Sequence, residues 1–159
     1  MTGTTDARRT LVLFDIDGTI LLSPGAGRRA IVRALGEEVG DRSGFDTVRF
    51  DGKTDPEIVV ELLRTAGQEE PRDSNRVLAL CRRYVGFLAE ELARPESRTR
   101  LMPGIPDLLA RLEVEGDLLL GLLTGNVADG AALKLRSAGI DPARFPVGAY
   151  GSDAGFRTE

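Results

Sequence analysis

A stretch of β-formers, Leu11-Val12-Leu13-Phe14, runs straight into two carboxylates, Asp15 and Asp17, followed by Gly18 and Thr19. No other feature restricts the fold so sharply. Side chains alternate along a strand, so Asp15 and Asp17 point the same way with Ile16 between them. Desolvating a carboxylate costs several kcal/mol, so two acids closing a buried strand imply a cation, a hydrogen-bond network or chemistry. In an open α/β sheet, ligands bind beyond the carboxyl ends of the strands, which is where this pair falls. The local pattern also admits a hairpin, because Asp17-Gly18 supplies the positive φ angles of a type I′ turn. Asp15 would then be an exposed strand residue.

Composition narrows the chemistry. The 159 residues contain no histidine, which removes Ser-His-Asp hydrolysis, phosphohistidine chemistry and His-bearing zinc sites. Any reaction must use carboxylates, hydroxyls, amides, Lys or Arg. A formal net charge of -4, with no basic face and no aromatic residues interleaved with Arg or Lys, argues against nucleic-acid partners. The polar start and the interruption of the first apolar run by Asp15 and Asp17 do not suit a signal peptide. No apolar run approaches the roughly 18 to 20 residues of a membrane helix, so the expected location is the cytoplasm with no membrane partner. The single cysteine, Cys81, falls among Val77, Leu80, Tyr84 and Val85 at helical spacing and reads as a core thiol.

The order of patterns is strand, long helical stretch, helix, strand, helix and short final strand. Between Gly25 and Arg94, apolar residues recur at three-to-four spacing through Ile31, Leu35, Ile58, Leu62, Leu80 and Tyr84, with no strand among them. Residues 93–102 are polar and Arg-rich, and Pro103-Gly104 opens another amphipathic helix carrying Ile105, Leu108, Leu109 and Leu112. Leu118 to Leu123 reads as a buried strand ending in Thr124-Gly125-Asn126 at a helix start. Small hydrogen-bonding groups there suit a phosphate, although Thr124 or Asn126 would equally serve as a helix cap.

These residues resemble the haloacid dehalogenase superfamily, mostly magnesium-dependent phosphohydrolases. Asp15-Ile16-Asp17-Gly18-Thr19 matches its first motif, Asp-x-Asp-Gly-Thr, and Leu122-Leu123-Thr124-Gly125-Asn126 matches its second. Gly52-Lys53-Thr54-Asp55 and Thr124-Gly125-Asn126 most resemble the phosphoglycolate-phosphatase-like subgroup. The resemblance implies an α/β fold with a Rossmann-like parallel-sheet core, residues 1–23 and 101–159, and an inserted helical C1 cap at 24–100. It implies that Asp15 attacks phosphorus to form an aspartyl phosphate and that Asp17 serves as general acid and then base. Gly18, Thr19, Thr124, Gly125 and Asn126 would hold the phosphoryl group, and Mg²⁺ would sit on the Asp15 carboxylate and the Asp17 carbonyl. Asp17 favours phosphatase over dehalogenase chemistry within the superfamily.

The third motif is a lysine, and Lys53 and Lys134 are the only lysines in the chain. Lys134 is the candidate, with Arg157 competing. Lys53 and Thr54 are candidates for substrate contact from the cap, although Thr54-Asp55-Pro56-Glu57 also spells a capping box. Arg28 and Arg29 would add positive field near the cleft or lie on a helix surface. The fourth motif, an acidic pair after another core strand, is missing, and Asp153 does not take its place. A complete core would need about 30 further residues or more. The resemblance therefore implies an incomplete core, weak activity, and an unpaired edge at the first strand through which self-association is expected. The alternative reading is a noncatalytic domain that binds a phosphorylated ligand or a partner.

Overall fold

The computed structural model describes residues 10–153. In chain order the elements are β1 (Thr10–Phe14), β2 (Leu21–Leu22), α1 (Ala26–Val39), α2 (Asp55–Thr65), α3 (Ser74–Ala93), β3 (Arg100–Leu101), α4 (Ile105–Glu113), β4 (Leu118–Leu123), α5 (Ala128–Ser137) and β5 (Val147–Ala149). Strands β1, β4 and β5 form a parallel sheet in that order, with Leu11 opposite Leu119 and Leu122 opposite both Phe14 and Gly148. Parallel neighbours require crossovers, and α5 supplies the one between β4 and β5. The α/β architecture expected from the sequence is present.

Asp17-Gly18 does turn the chain, with Gly18 at φ 78°, but it does not fold β2 back onto β1. Leu21-Leu22 instead pairs antiparallel with Leu101-Arg100, so the hairpin alternative is excluded. The polar stretch 93–102 thereby acquires a strand that its composition did not announce. Its pairing partner lies on the far side of helices α1 to α3, and a two-residue strand has too few side chains to show a period of two.

Two apolar clusters anchor the molecule. One gathers Ile31, Leu35, Phe45, Val59, Leu62, Leu63, Leu80, Tyr84 and Leu88 from α1 to α3 and their connections. The other joins Phe14, Ile16, Ile20, Leu109, Leu120, Leu122, Leu135 and Phe145 around one face of the sheet. Cys81 is a buried free thiol in the first cluster, as expected. The opposite sheet face is bare: Leu11, Leu13, Leu123 and Val147 are 49%, 46%, 53% and 38% exposed. In the parallel register their side chains share that face. Among the described residues β1 has no strand on its outer side, which matches the unpaired edge expected from the sequence. No helix among the described residues is long and apolar enough to cross a membrane.

Candidate active site

The carboxyl ends of β1 and β4 open into a cleft of about 490 Å³ whose far wall is made by α1, α2, α3 and the 50–55 segment. Asp15, Asp17, Thr124, Gly125, Asn126 and Lys134 line it together. β1 stops at Phe14, so it is the turn after the strand that carries both aspartates into the cleft.

The Ile16 N–H donates to Asp15 Oδ1 at 2.8 Å. That bond fixes the carboxylate and leaves its second oxygen without a hydrogen-bond donor among the described residues. Lys134, on α5, is buried and donates to Asp17 Oδ1 and Oδ2 at 2.9 and 2.7 Å and to Asn126 Oδ1 at 2.7 Å. Asn126 donates through Nδ2 to Asp17 Oδ2 and to Thr124 Oγ1, both at 2.8 Å. The aspartate half-site and the β4–α5 half-site are thus one hydrogen-bonded unit, with a buried ammonium at its centre. Such full satisfaction is what a buried charge requires.

Gly18 makes the turn, donating its N–H to Leu21 O at 2.9 Å, and the Thr19 N–H donates to Ile16 O at 3.2 Å. Thr54 is the N-cap of α2: its hydroxyl accepts the Glu57 N–H at 3.3 Å while Glu57 Oε2 accepts the Thr54 N–H at 2.8 Å. The capping box is therefore formed as the sequence spelled it. Lys53 lines the cleft, but its ammonium is held by Glu61 and by the Arg49 carbonyl. Arg157 lies outside the described residues. Asp153 closes a local turn, its carboxylate accepting the Tyr150 N–H at 2.8 Å.

Three cleft residues were not singled out by sequence reasoning, or only weakly. Arg28 lines the cleft, donates to the Val48 and Phe45 carbonyls at 3.1 and 2.9 Å and lies 4.4 Å from the centre of the Phe50 ring. None of the described carboxylates pairs with it. Arg29 instead bonds buried Glu91 at 2.6 Å. Tyr84 is fully buried beside the cleft, and desolvation, then the Asp55 and Asp17 charges, push its hydroxyl well above the usual range. Asp55 is buried, and desolvation lifts its carboxyl to about 6 against the pull of Lys134 and the Val127 amide. Tyr84 follows the core periodicity of α3, so nothing in its spacing sets it apart.

Among the described residues no group of three or more acidic, histidine or cysteine side chains stands ready to enclose a metal. Mg²⁺ typically uses one or two carboxylates and completes its shell with water and phosphate oxygens. The hard oxygens of Asp15 and Asp17 fit that pattern, whereas a soft or caged metal would find no ligand set among the described residues.

No protein-family model matches the chain, and no curated protein does. Solved structures do. CbbY from Rhodobacter sphaeroides, in complex with phosphate, aligns at TM-score 0.64 and 24% identity over 91% of this chain. A mutant of the same protein, in complex with xylulose-(1,5)bisphosphate, aligns at 0.65 with the same identity and coverage. A predicted phosphoglycolate phosphatase from Haemophilus somnus 129PT aligns at 0.59 and 20% identity over 94% of the chain. The chain spans 64%, 64% and 65% of the length of those three. The likeness establishes the shared fold, an α/β fold with a Rossmann-like parallel sheet, that the motifs implied.

Proposed function

We propose that this chain is the larger part of a haloacid dehalogenase-type phosphatase that hydrolyses a small phosphomonoester through an aspartyl phosphate. The observation that carries the reading is the single bonded unit of Asp17, Asn126, Thr124 and Lys134 that lines one cleft together with Asp15. Dissociative phosphoryl transfer needs chiefly an in-line nucleophile and fixed charge around the moving oxygens. Asp15 forms a bond to phosphorus as the bond to the leaving oxygen breaks, and Asp17, once Lys134 has turned from it to the phosphoryl oxygens and it has taken up a proton, gives that proton to the leaving oxygen. Water then attacks the phosphoaspartate while Asp17 takes its proton, and Asp15 is released with inorganic phosphate. Lys134 and the Thr124–Asn126 loop balance the phosphoryl charge. Bound on Asp15 and the Asp17 carbonyl, Mg²⁺ would supply charge neutralisation between carboxylate and phosphate.

The helical segment 24–100 serves, in this reading, as a cap that selects the substrate. A second anionic group on that substrate is favoured by Arg28, which lines the cleft and whose guanidinium is held by the Val48 and Phe45 carbonyls with no carboxylate partner among the described residues. Phosphoglycolate has that chemistry, and the bisphosphate bound by a mutant CbbY has it too. Lys53 and Thr54 would contact the substrate only through backbone groups or after the Lys53–Glu61 pair opens. A free buried cysteine suits a reducing compartment such as the cytoplasm. The bare sheet face and the β1 edge are the surface through which a second copy would associate.

The deciding experiment is Mg²⁺-dependent release of inorganic phosphate from phosphoglycolate, comparing wild type with Asp15→Asn. Wild type is expected to turn over slowly and to trap phosphate on Asp15 at acid quench. Asp15→Asn is expected to retain the fold and lose both signals. Binding without turnover in wild type would favour the noncatalytic alternative.

A further inference from the structure

Asp55 begins helix α2, where Thr54 already serves as the cap, yet its carboxylate serves a different helix. Oδ2 accepts the N–H of Val127, the N-cap residue of α5, at 2.8 Å. Its own N–H donates to the Gly125 carbonyl at 2.8 Å. An anion at that end of α5 is favoured by the helix dipole and occupies an amide that α5 does not itself satisfy.

The contact is tight as well as polar. A methyl group at Gly125 would stand 2.6 Å from the Lys53 carbonyl oxygen and 3.2 Å from Thr54 Cα, so the 53–55 backbone lies directly on the β4–α5 loop. Gly125 separates Thr124 from Asn126, and Asn126 in turn holds Asp17 and Lys134. The charges near Asp55 come from Lys134 on α5 and Asp17 after β1, with Tyr84 and Cys81 of α3 packed beside it. A carboxylate is an expensive cap at a buried position, because a neutral amide would accept the same hydrogen bond without desolvating a charge.

We propose that Asp55 is a positioning residue of the phosphate site. It seats the cap on the Thr124–Asn126 loop, so that Asn126 and Lys134 take up their geometry against Asp17 only while the cap is docked. The inference rests on the reading above that this loop holds a phosphoryl group. Phosphate affinity and cap position are then one equilibrium, since a loop ordered by the cap binds the anion better than a loop left open.

The test uses the full chain and two readouts, hydrogen exchange at the Val127 amide and affinity for inorganic phosphate with Mg²⁺ present. Asp55→Ala is expected to speed exchange and weaken phosphate binding about tenfold each. Asp55→Asn, whose amide oxygen accepts the same bond, is expected to return both to within about threefold of wild type. Should Asp55→Ala fail to fold, Asp55→Gln carries the test, because its acceptor is displaced by one methylene and should weaken phosphate binding likewise. Loss of thermal stability with unchanged phosphate affinity would overturn the proposal and leave Asp55 a structural cap. If wild type itself does not bind phosphate, the reading of the loop fails first and the positioning role falls with it. If wild type binds and the variants bind equally, the positioning role alone is wrong.

Discussion

Asp55 also gives the folded state a pH dependence whose sign is fixed by its burial. Its carboxyl rises from 3.8 in the open chain to about 6 in the fold, so the folded state holds the proton more tightly. Stability is therefore highest below the unfolded value and declines as pH climbs from about 4 through about 6. Asp55→Asn removes that decline. Relative to wild type, the variant is expected to gain about 3 kcal/mol at neutral pH and almost nothing at pH 4. Urea unfolding of both proteins across this range measures it, and a constant difference at every pH would contradict the assignment. Residues of this kind are where sequence reading stopped short. One motif marks Asp15 and Asp17, and Lys134 stood out as one of only two lysines, with Arg157 competing; all three line the same cleft. The carboxylate of Asp55 was visible only as part of a local capping sequence, since its actual partner stands 72 positions away.

Among the elements, α2 shows how far a purely local signal carries. Thr54, Pro56 and Glu57 lie within four residues, and the capping box they spell is present with both reciprocal hydrogen bonds. Thr54→Ala is expected to cost about 1 kcal/mol in chemical denaturation, the usual worth of an N-cap. Strand β4 was equally legible, as an unbroken apolar run before Thr124, but the full burial that run implied is not met, because Leu123 on the bare face is 53% exposed. β2 and β3 were not. Each is only two residues long, and they stabilise one another across the entire helical insertion, so neither segment contains the information that makes it a strand. The side chain of Lys53 escaped for a related reason: Glu61, two turns along α2, competes for the ammonium that the motif reading directed toward substrate.

For the whole molecule, the sheet has one face packed and one face open. Its exposed leucines are on the same side of adjacent strands, which makes a contiguous apolar surface next to an unpaired edge. Wild type is expected to sediment as a concentration-dependent mixture, and Leu13→Lys with Leu123→Lys is expected to shift it to monomer in analytical ultracentrifugation. A wild type that stays monomeric at high concentration would remove this face as an association surface. The short β2–β3 ribbon has a separate consequence for the route by which the chain folds. β1 and β4 are neighbours in the sheet but flank the whole helical insertion, so pairing them directly requires closing a very long loop. Helices α1 to α3 have their own apolar cluster and, once packed, bring Leu22 and Arg100 side by side. The insertion then behaves as a staple, and the sheet has only a short remaining gap to close, each halving of a flexible loop reducing the entropy cost by about 0.6 kcal/mol. Helical insertion first and parallel sheet second is the expected order, so a mutation that loosens the packing of α1 on α3 should slow formation of a sheet it never touches.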